Sequence, residues 1–516
     1  MRIGYRTFGR TSLAYGLSLC LKQIKDRANI DFVDLSVANA RTCDVLLISL
    51  FWWEHFYNFV DFLAAAGIDP RKSRKPLVII GGFNSFNFRS LGNLFHWACT
   101  GDGEEWLPPV IDTLASNTED LIAEIPGTYW PGKTSTTYWQ NVRFKPHAMK
   151  EPGQTVTRIE IARGCKYRCK FCALTYLKEN REGTVAEIKA LIDAAPTKRV
   201  ALFAPDRLSY SNYAELSAYL AEVGKVDSAS DTRMDSLNRY SGNYQGTLLF
   251  GMEGVSERLR KAVGKSMPTE RLVENLCRIT RESRTGRKNV RFYVIVDLPG
   301  ETEEDYAGFG EFLDKLDKQP EAKQITLSPF VNTFLPQPLT PVQWAGIHLF
   351  EDYRARIAKT IWGADFKDRE GFRPRRTTIA WTPRIWGPTS RLKANIVVRG
   401  DERSETALTN LTLNKQLKSQ VRRPGKAGAE ALLRFCEKIG LTEEFLCGEM
   451  PEDKPLPWDR IETHVPKEVL FRAWKQYKRI VGMRQEPVAN NYGLGSESSE
   501  GVLAGLLADR SVQPQA

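Results

Sequence analysis

Three cysteines within eight residues constrain this chain more than any other feature. They stand at a C-x3-C-x2-C spacing in Arg163-Gly164-Cys165-Lys166-Tyr167-Arg168-Cys169-Lys170-Phe171-Cys172, with an aromatic, Phe171, directly before the last. Three thiolates so spaced hold one face of a four-iron cluster and leave the fourth iron open. An open iron takes a small ligand, which makes such a site chemical rather than merely electron-carrying. The alternatives are a zinc site or three unrelated cysteines. Zinc usually takes four N/S ligands, often from two distant C-x2-C pairs, and neither a second pair nor a nearby His is present here.

The rest of the composition sets bounds. A length of 516 residues suits about three domains. Nine cysteines, odd in number and otherwise scattered, exclude a disulfide scaffold and point to a reducing, cytoplasmic compartment. The most apolar run, 45–53, is too short for a membrane span, so no membrane partner is expected. The basic N-terminus lacks the apolar core of a secretory signal and reads as a strand (2–5) and an amphipathic helix (12–24).

Residues 1–120 alternate strands and helices. Strands at 45–50, 76–80 and 97–100 run into Gly81-Gly82 or the Gly101-Asp102-Gly103-Glu104-Glu105 turn, and helices follow at 54–66, near 88–94 and from the turn to 114. Strands that end in glycine turns before helices imply a doubly wound parallel sheet. Residues 121–154, punctuated by Pro126, Gly127, Pro131 and Gly132, read as a linker. From 155 to 345 further strands recur, at 156–161, 199–204, 247–250, 290–296 and 324–330. Residues 346–485 read as mostly helical, with helices at 350–362 and 427–439. The stretch 486–516, rich in Ser, Gly, Glu and Ala, has a disordered composition.

The cysteine triplet with its aromatic resembles the radical S-adenosylmethionine (radical SAM) superfamily. The likeness covers 155–345 closely and 40–120 loosely. Its closest local matches are Gly251-Met252-Glu253-Gly254-Val255-Ser256-Glu257-Arg258-Leu259-Arg260 and Asp297-Leu298-Pro299-Gly300-Glu301-Thr302. The resemblance implies an α/β chain in which a Rossmann-like domain precedes a partial (β/α)6 barrel and a mostly helical C-terminal region. It implies a 4Fe–4S cluster on Cys165, Cys169 and Cys172, and SAM held by residues at the mouth of the barrel. Phe171 is then expected near the adenine and Asp206 at the amino group. Glu253, Ser256 and Arg258 are expected at the ribose, methionine and carboxylate end, and Pro299, Gly300 and Glu301 at the adenine edge. Arg258 and Arg260 are not separable by sequence. Arg233, at the end of the third strand, is expected to face the site. Capping is the structural alternative for Asp206 and for the Thr302–Asp305 pair.

The first domain resembles the cobalamin-binding domain that precedes many such barrels. The D-x-H-x-x-G signature that supplies a histidine to cobalt is absent, and His55 and His96 lie outside that context. Cobalamin therefore stays among the implied cofactors only without such a ligand. A methylthiotransferase-type second cluster would need three cysteines here. Cys20, Cys43 and Cys99 are widely spaced and read as core residues.

Function follows in outline. An external one-electron reductant of flavodoxin or ferredoxin type is implied, with cleavage of SAM to a 5′-deoxyadenosyl radical that abstracts hydrogen from a substrate. Residues 367–399 carry nine Lys/Arg against two acids, with Phe366, Phe372, Trp381 and Trp386 in or beside them, which suits nucleic acid. Modification of a DNA or RNA base is the leading expectation. The alternatives are a cobalamin-type methylase, isomerase or cyclase acting on small molecules, a methylthiotransferase-like tRNA enzyme, and a non-catalytic Fe–S protein. The basic block has its own alternative, core aromatics between solvated arginines. Trp458, in a segment familiar from the same relatives, is expected to pack on the barrel.

Overall fold

The computed structural model describes residues 1–9, 14–27, 29–82, 85–141, 143–150, 153–228, 231–241, 246–363, 377–380 and 385–483. The expected tail, 486–516, lies outside the described residues, as do six cations of the basic block (367, 369, 373, 375, 376 and 384) with Phe366, Phe372 and Trp381.

The first domain is a parallel sheet of Asp31–Asp34, Arg2–Thr7, Val45–Ser49, Leu77–Gly81 and Trp97–Cys99, in that spatial order, with Thr128–Tyr129 antiparallel at the edge. Val45–Ser49 is buried at all five positions, as a strand covered on both faces must be. Helices Tyr15–Ile24, Trp53–Ala66 and Gly103–Ala115 supply those covers. The strand order places the second strand on one side of the first and the third on the other. Ligands of doubly wound sheets settle at such a reversal, outside the carboxyl ends of the strands.

The linker expectation for 121–154 is corrected. Thr128–Tyr129 completes the first sheet, Thr136–Thr137 pairs with Ile461–Glu462 from the C-terminal region, and His147–Met149 pairs antiparallel with the first barrel strand. Pro and Gly punctuate this stretch because each short strand turns sharply into the next partner.

The barrel is built as expected, with one elaboration. Val156–Glu160, Arg199–Phe203 and Val226–Asp227 run parallel in one sheet. Asp231–Arg233, Leu248–Glu253, Lys288–Val296, Ile325–Thr333 and the short Thr378–Ile379 run parallel in another. The third barrel strand is thus split, its first half pairing with the second strand and its second half with the fourth. Thr378–Ile379 is a seventh parallel strand, set inside the stretch read as a basic block.

Helices Tyr353–Trp362, Pro388–Val398, Ser404–Leu413, Lys415–Val421, Lys426–Lys438, Glu443–Cys447 and Lys467–Val481 form the C-terminal region. Their apolar faces merge with the barrel core around the buried Trp344, Trp458 and Trp474. Trp458 packs as expected, and its indole N–H donates to Gln343 Oε1 at 2.6 Å. The region also grips the first domain: the Asn87 amide donates to the carbonyls of Val397, Val398 and Gly400. No helix among the described residues is long and apolar enough to cross a membrane.

Candidate active site

The cysteine loop leaves the first barrel strand and is pinned at both stems. Ala162–Arg163 pairs antiparallel with Arg181–Glu182. Gly164 adopts φ +78°, and a Cβ there would lie 2.0 Å from the Glu179 carbonyl oxygen, so only glycine lets the stems approach this closely. Inside the loop the Thr175 hydroxyl donates to the Cys165 carbonyl at 2.9 Å, and the Lys170 amide donates to Val263 O at 3.0 Å. Cys169 is buried, and Cys165 and Cys172 are half-buried.

Two cations stand beside the sulfurs. Arg233 donates from Nη1 to Cys169 Sγ at 2.6 Å, bonds Asp235 at 2.7 Å and stacks on the Tyr167 ring at 3.8 Å. Lys265 is buried, with Nζ 2.8 Å from Glu253 Oε1 and 3.0 Å from the Gly251 carbonyl. Burial alone would lower the Lys265 pKa, but Glu253 and Cys169 hold it above the ordinary lysine value. Burial pushes the Cys172 thiol up to about 12 and raises Cys165 as well. These sulfurs therefore become thiolates only against positive charge, which a metal cluster supplies and the two cations supplement. Among the described residues no three His, Cys, Asp or Glu side chains converge as a single ion requires. A four-iron cluster does not require it, because each thiolate binds a different iron. The donor set fits such a cluster.

The remaining predicted residues divide into two groups. Phe171 stays with the loop, packed against the barrel core with its ring centroid 5.9 Å from Lys265 Nζ. Asp206 is 3% exposed and accepts from Ser236 Oγ (2.8 Å), Thr232 Oγ1 (3.1 Å) and the Arg233 amide (3.4 Å). Its side chain makes no helix cap; it fastens the strand end that presents Arg233 to Cys169. Glu253 ends its strand at φ +63°, just after a register shift, and turns its carboxylate onto Lys265.

Ser256, Arg258, Pro299, Gly300 and Glu301 meet at a different junction, between the barrel and the C-terminal helix. Ser256 caps helix Glu257–Ala262 and donates to Asp305. Arg258 pairs with Asp305 and donates to Gly300 O (2.9 Å) and Val481 O (2.8 Å). The Pro299 carbonyl accepts from the Tyr477 hydroxyl at 3.0 Å. Gly300 lies against Val481 at φ +73°. Glu301 folds under its own turn to accept from Tyr306 and the Asp297 amide, and burial lifts its pKa to about 7. Ser256 and Arg258 turn to the buried carboxylate of Asp305, which the Thr302–Asp305 capping box sets in place, while Pro299 and Gly300 meet the C-terminal helix. Arg260 is separable from Arg258 after all: it is buried and donates to Met267 O and Thr269.

Lys265 was missed by the sequence reading. The available signal was a strand-end acid, Glu253, followed by one short helix and Gly264-Lys265, a length that brings the chain back to the same strand end.

A cavity of about 620 Å³ lies between the first domain and the barrel mouth. Ser49, Gly81 and Thr100, at the carboxyl ends of the first sheet, face Glu160, Arg163 and Ala204. Cys20 and Cys99 both line it. Cys43 packs at the opposite, amino end of the parallel sheet against Gly4, so the three cysteines do not share a site. The lining has no imidazole: His96 hydrogen-bonds Val78 N and Pro70 O, and His55 packs edge-on to Phe51 at 4.4 Å.

The basic block does not form the expected polyanion face where it is described. Arg391 is buried in an ion pair with Asp297, Arg399 is buried and donates to Ala345 O, and Lys393 lies 5.5 Å from the Tyr57 ring. Trp386 packs edge-on to Trp53 at 5.5 Å, within the first-domain core.

Comparison with known proteins agrees with this geometry. Residues 159–313, which carry the cysteine loop and the barrel strands through the fifth, match the Radical SAM superfamily, and 21–130 match the N-terminal domain of radical SAM proteins. The chain belongs to the radical SAM superfamily. This radical SAM chain is 30% identical over 180 residues to an uncharacterised protein of Methanocaldococcus jannaschii, covering 34% of the chain and 40% of that protein. It is 25% identical over 182 residues to the ribosomal protein uS12 methylthiotransferase RimO of Pseudothermotoga lettingae (30% and 41% covered). The RimO of Chlamydia abortus matches at 23% over 233 residues (40% and 50% covered). The chain thus spans about two fifths to half of the length of these relatives. Among solved structures it is similar to the cobalamin-dependent radical enzyme OxsB (TM-score 0.47, 13% identity, 99% of this chain and 80% of that one). The methyltransferase TsrM of Kitasatospora setae is another (TM-score 0.46, 14% identity, 66% and 77%).

Proposed function

We propose that this protein is a radical SAM enzyme. A 4Fe–4S cluster on Cys165, Cys169 and Cys172, reduced by an external one-electron donor of flavodoxin or ferredoxin type, would supply the reductive cleavage of SAM that starts hydrogen abstraction from a substrate. The observation that carries this reading is the cysteine loop, clasped at both stems, with Arg233 and Lys265 against its sulfurs. Arg233 donates to Cys169 Sγ, and a hydrogen bond to a cluster sulfur tunes the potential at which an electron is accepted. Asp206 holds Arg233 in place through the third strand end. The Lys265–Glu253 pair sets a fixed cation and a fixed acceptor beside the loop, suited to an amino acid's two ends. Phe171 offers an apolar face beside them. The first domain faces the barrel mouth across the cavity.

The test is anaerobic reconstitution with iron and sulfide, followed by strong reduction with SAM. Wild-type protein should hold about four irons per chain and release 5′-deoxyadenosine. Iron uptake without any 5′-deoxyadenosine would favour the non-catalytic Fe–S alternative.

Two substrate readings remain, and the structure weights them unequally. Nucleic-acid base modification now rests on the six cations outside the described residues, since Arg391, Arg399 and Trp386 are packed. Absence of polynucleotide binding at low salt would remove it. The cavity favours a small-molecule enzyme with a large ligand between the domains, since pockets of this size and place take cofactors or substrates. A cobalamin held there would have no histidine ligand from the lining, and its absorption spectrum after reconstitution is the check. Cys20, Cys43 and Cys99 give no support to a methylthiotransferase-type second cluster.

A further inference from the structure

Asp102 stands where the first domain meets the cysteine loop. It follows the strand Trp97–Cys99 and is 2% exposed. Its Oδ1 lies 3.2 Å from both Arg163 Nη1 and Lys178 Nζ, and its Oδ2 accepts from Arg181 Nη2 at 2.9 Å. Those three cations occupy the two stems of the cysteine loop: Arg163 precedes Cys165, and Lys178 and Arg181 follow Cys172. Glu104, from the same first-domain turn, and Glu160, from the first barrel strand, complete the cluster on Arg163. Three cations thus face three carboxylates, all largely buried.

The stems are also held by the Lys166–Glu182 ion pair at 2.7 Å and by bonds from Glu179 N and Arg181 to Gln140 and Asn141, but among these contacts only Asp102 bridges cations of both stems. Their mutual pairing is two residues on each side. The carboxylate that bridges both stems comes from another domain, and its own backbone is fixed by a hydrogen bond from the Asp102 amide to Trp139 O at 3.1 Å. The same Asp102, Glu104, Arg163 and Lys178 form part of the cavity wall.

We infer that Asp102 is a positioning residue that fixes the cysteine loop from the first domain, so that whatever fills the cavity is mechanically coupled to the cluster. Resting on the radical SAM reading above, the inference adds a role for the Gly101–Glu105 turn that the barrel alone does not require. Asp102→Asn keeps the shape and removes the charge, leaving three buried cations against two carboxylates. The stems must then shift to relieve that imbalance, and a displacement of order 1 Å at a reacting centre costs on the order of 100-fold in rate.

The experiment compares reconstituted wild type, Asp102→Asn, Arg181→Gln and the double variant. It reads iron content, the EPR spectrum of the reduced cluster with and without SAM, and kcat and KM for 5′-deoxyadenosine formation. The expected result is iron content near wild type for Asp102→Asn, an altered EPR response to SAM, and kcat lower by at least tenfold. The double variant, which removes a cation and a carboxylate together, should be less impaired than the product of the single losses, the signature of a coupled pair. If Asp102→Asn does not accumulate as folded protein, Lys178→Met, which unbalances the same cluster in the other direction, takes its place with the same EPR and kcat readouts. EPR spectra and kcat within twofold of wild type in the folded variant would overturn the inference. A wild-type protein that takes up no iron would overturn it together with the radical SAM reading, and that control separates the two failures.

Discussion

Arg258 sits at a junction whose strength can be measured directly. Its guanidinium ties three elements together: the Asp305 carboxylate, the Gly300 carbonyl and the terminal carbonyl of helix Lys467–Val481. Arg258→Ala removes all three bonds. Asp305 keeps the Ser256 hydroxyl and the Thr302 amide at 2.8 Å, so it is not left bare. The Arg258 side chain is 34% exposed, which discounts the ion pair below the 3–5 kcal/mol typical of breaking a fully buried one. A hydrogen bond to a charged group contributes about 1.5–3 kcal/mol, and a net loss of about 2 kcal/mol is expected, concentrated on the C-terminal helix. At 1.4 kcal/mol per decade this is about a 30-fold increase in local opening. Hydrogen exchange followed by mass spectrometry should show amides of 467–481 exchanging about 30-fold faster, while iron content and the KM for SAM stay within twofold of wild type. Unchanged exchange together with a large rise in KM for SAM would refute the reasoning and return Arg258 to the SAM carboxylate.

Two further outcomes follow from the same geometry. Glu301 has a folded pKa of about 7 against an ordinary 4.5. Its protonated form is favoured by folding, so its contribution is full below pH 4.5 and is lost as pH rises through 7. Denaturation should therefore show stability falling by up to about 3 kcal/mol across that window, and Glu301→Gln should flatten the fall. Lys265→Met leaves Glu253 buried without its cation and takes a positive charge away from Cys169. The reduction midpoint of the reconstituted cluster should move to a more negative potential, and 5′-deoxyadenosine formation should drop at least tenfold; an unmoved potential would place Lys265 outside the field of the cluster.

Much of this architecture is legible in the sequence, for identifiable reasons. Val45–Ser49, Leu77–Gly81 and Trp97–Cys99 are covered on both faces and therefore read as short apolar runs with glycine turns. The cysteine triplet is local, so its spacing alone points to a cluster, and the Thr302–Asp305 box is equally local. What was not legible depends on contacts distant in sequence. Thr136–Thr137 finds its partner at Ile461–Glu462, and nothing near Pro131 announces that. Arg391 and Arg399 count as positive charge in any window of sequence, yet one neutralises Asp297 and the other is sealed behind Ala345. Ser256 and Arg258 match a motif by position, but both turn to Asp305, and Arg258 also reaches Val481, 223 residues away. The Asp102 cluster joins residues from both domains and carries no local pattern.

Cys165, Cys169 and Cys172 are proposed to hold the cluster at which SAM is cleaved. The direct measurement is 5′-deoxyadenosine released under anaerobic reduction by reconstituted wild type and by Cys169→Ala, with iron and EPR recorded on the same samples. Wild type should hold about four irons, show an EPR signal altered by SAM and release product steadily, and the variant should lose all three. A Cys169→Ala protein that kept its iron and its SAM cleavage would contradict this assignment.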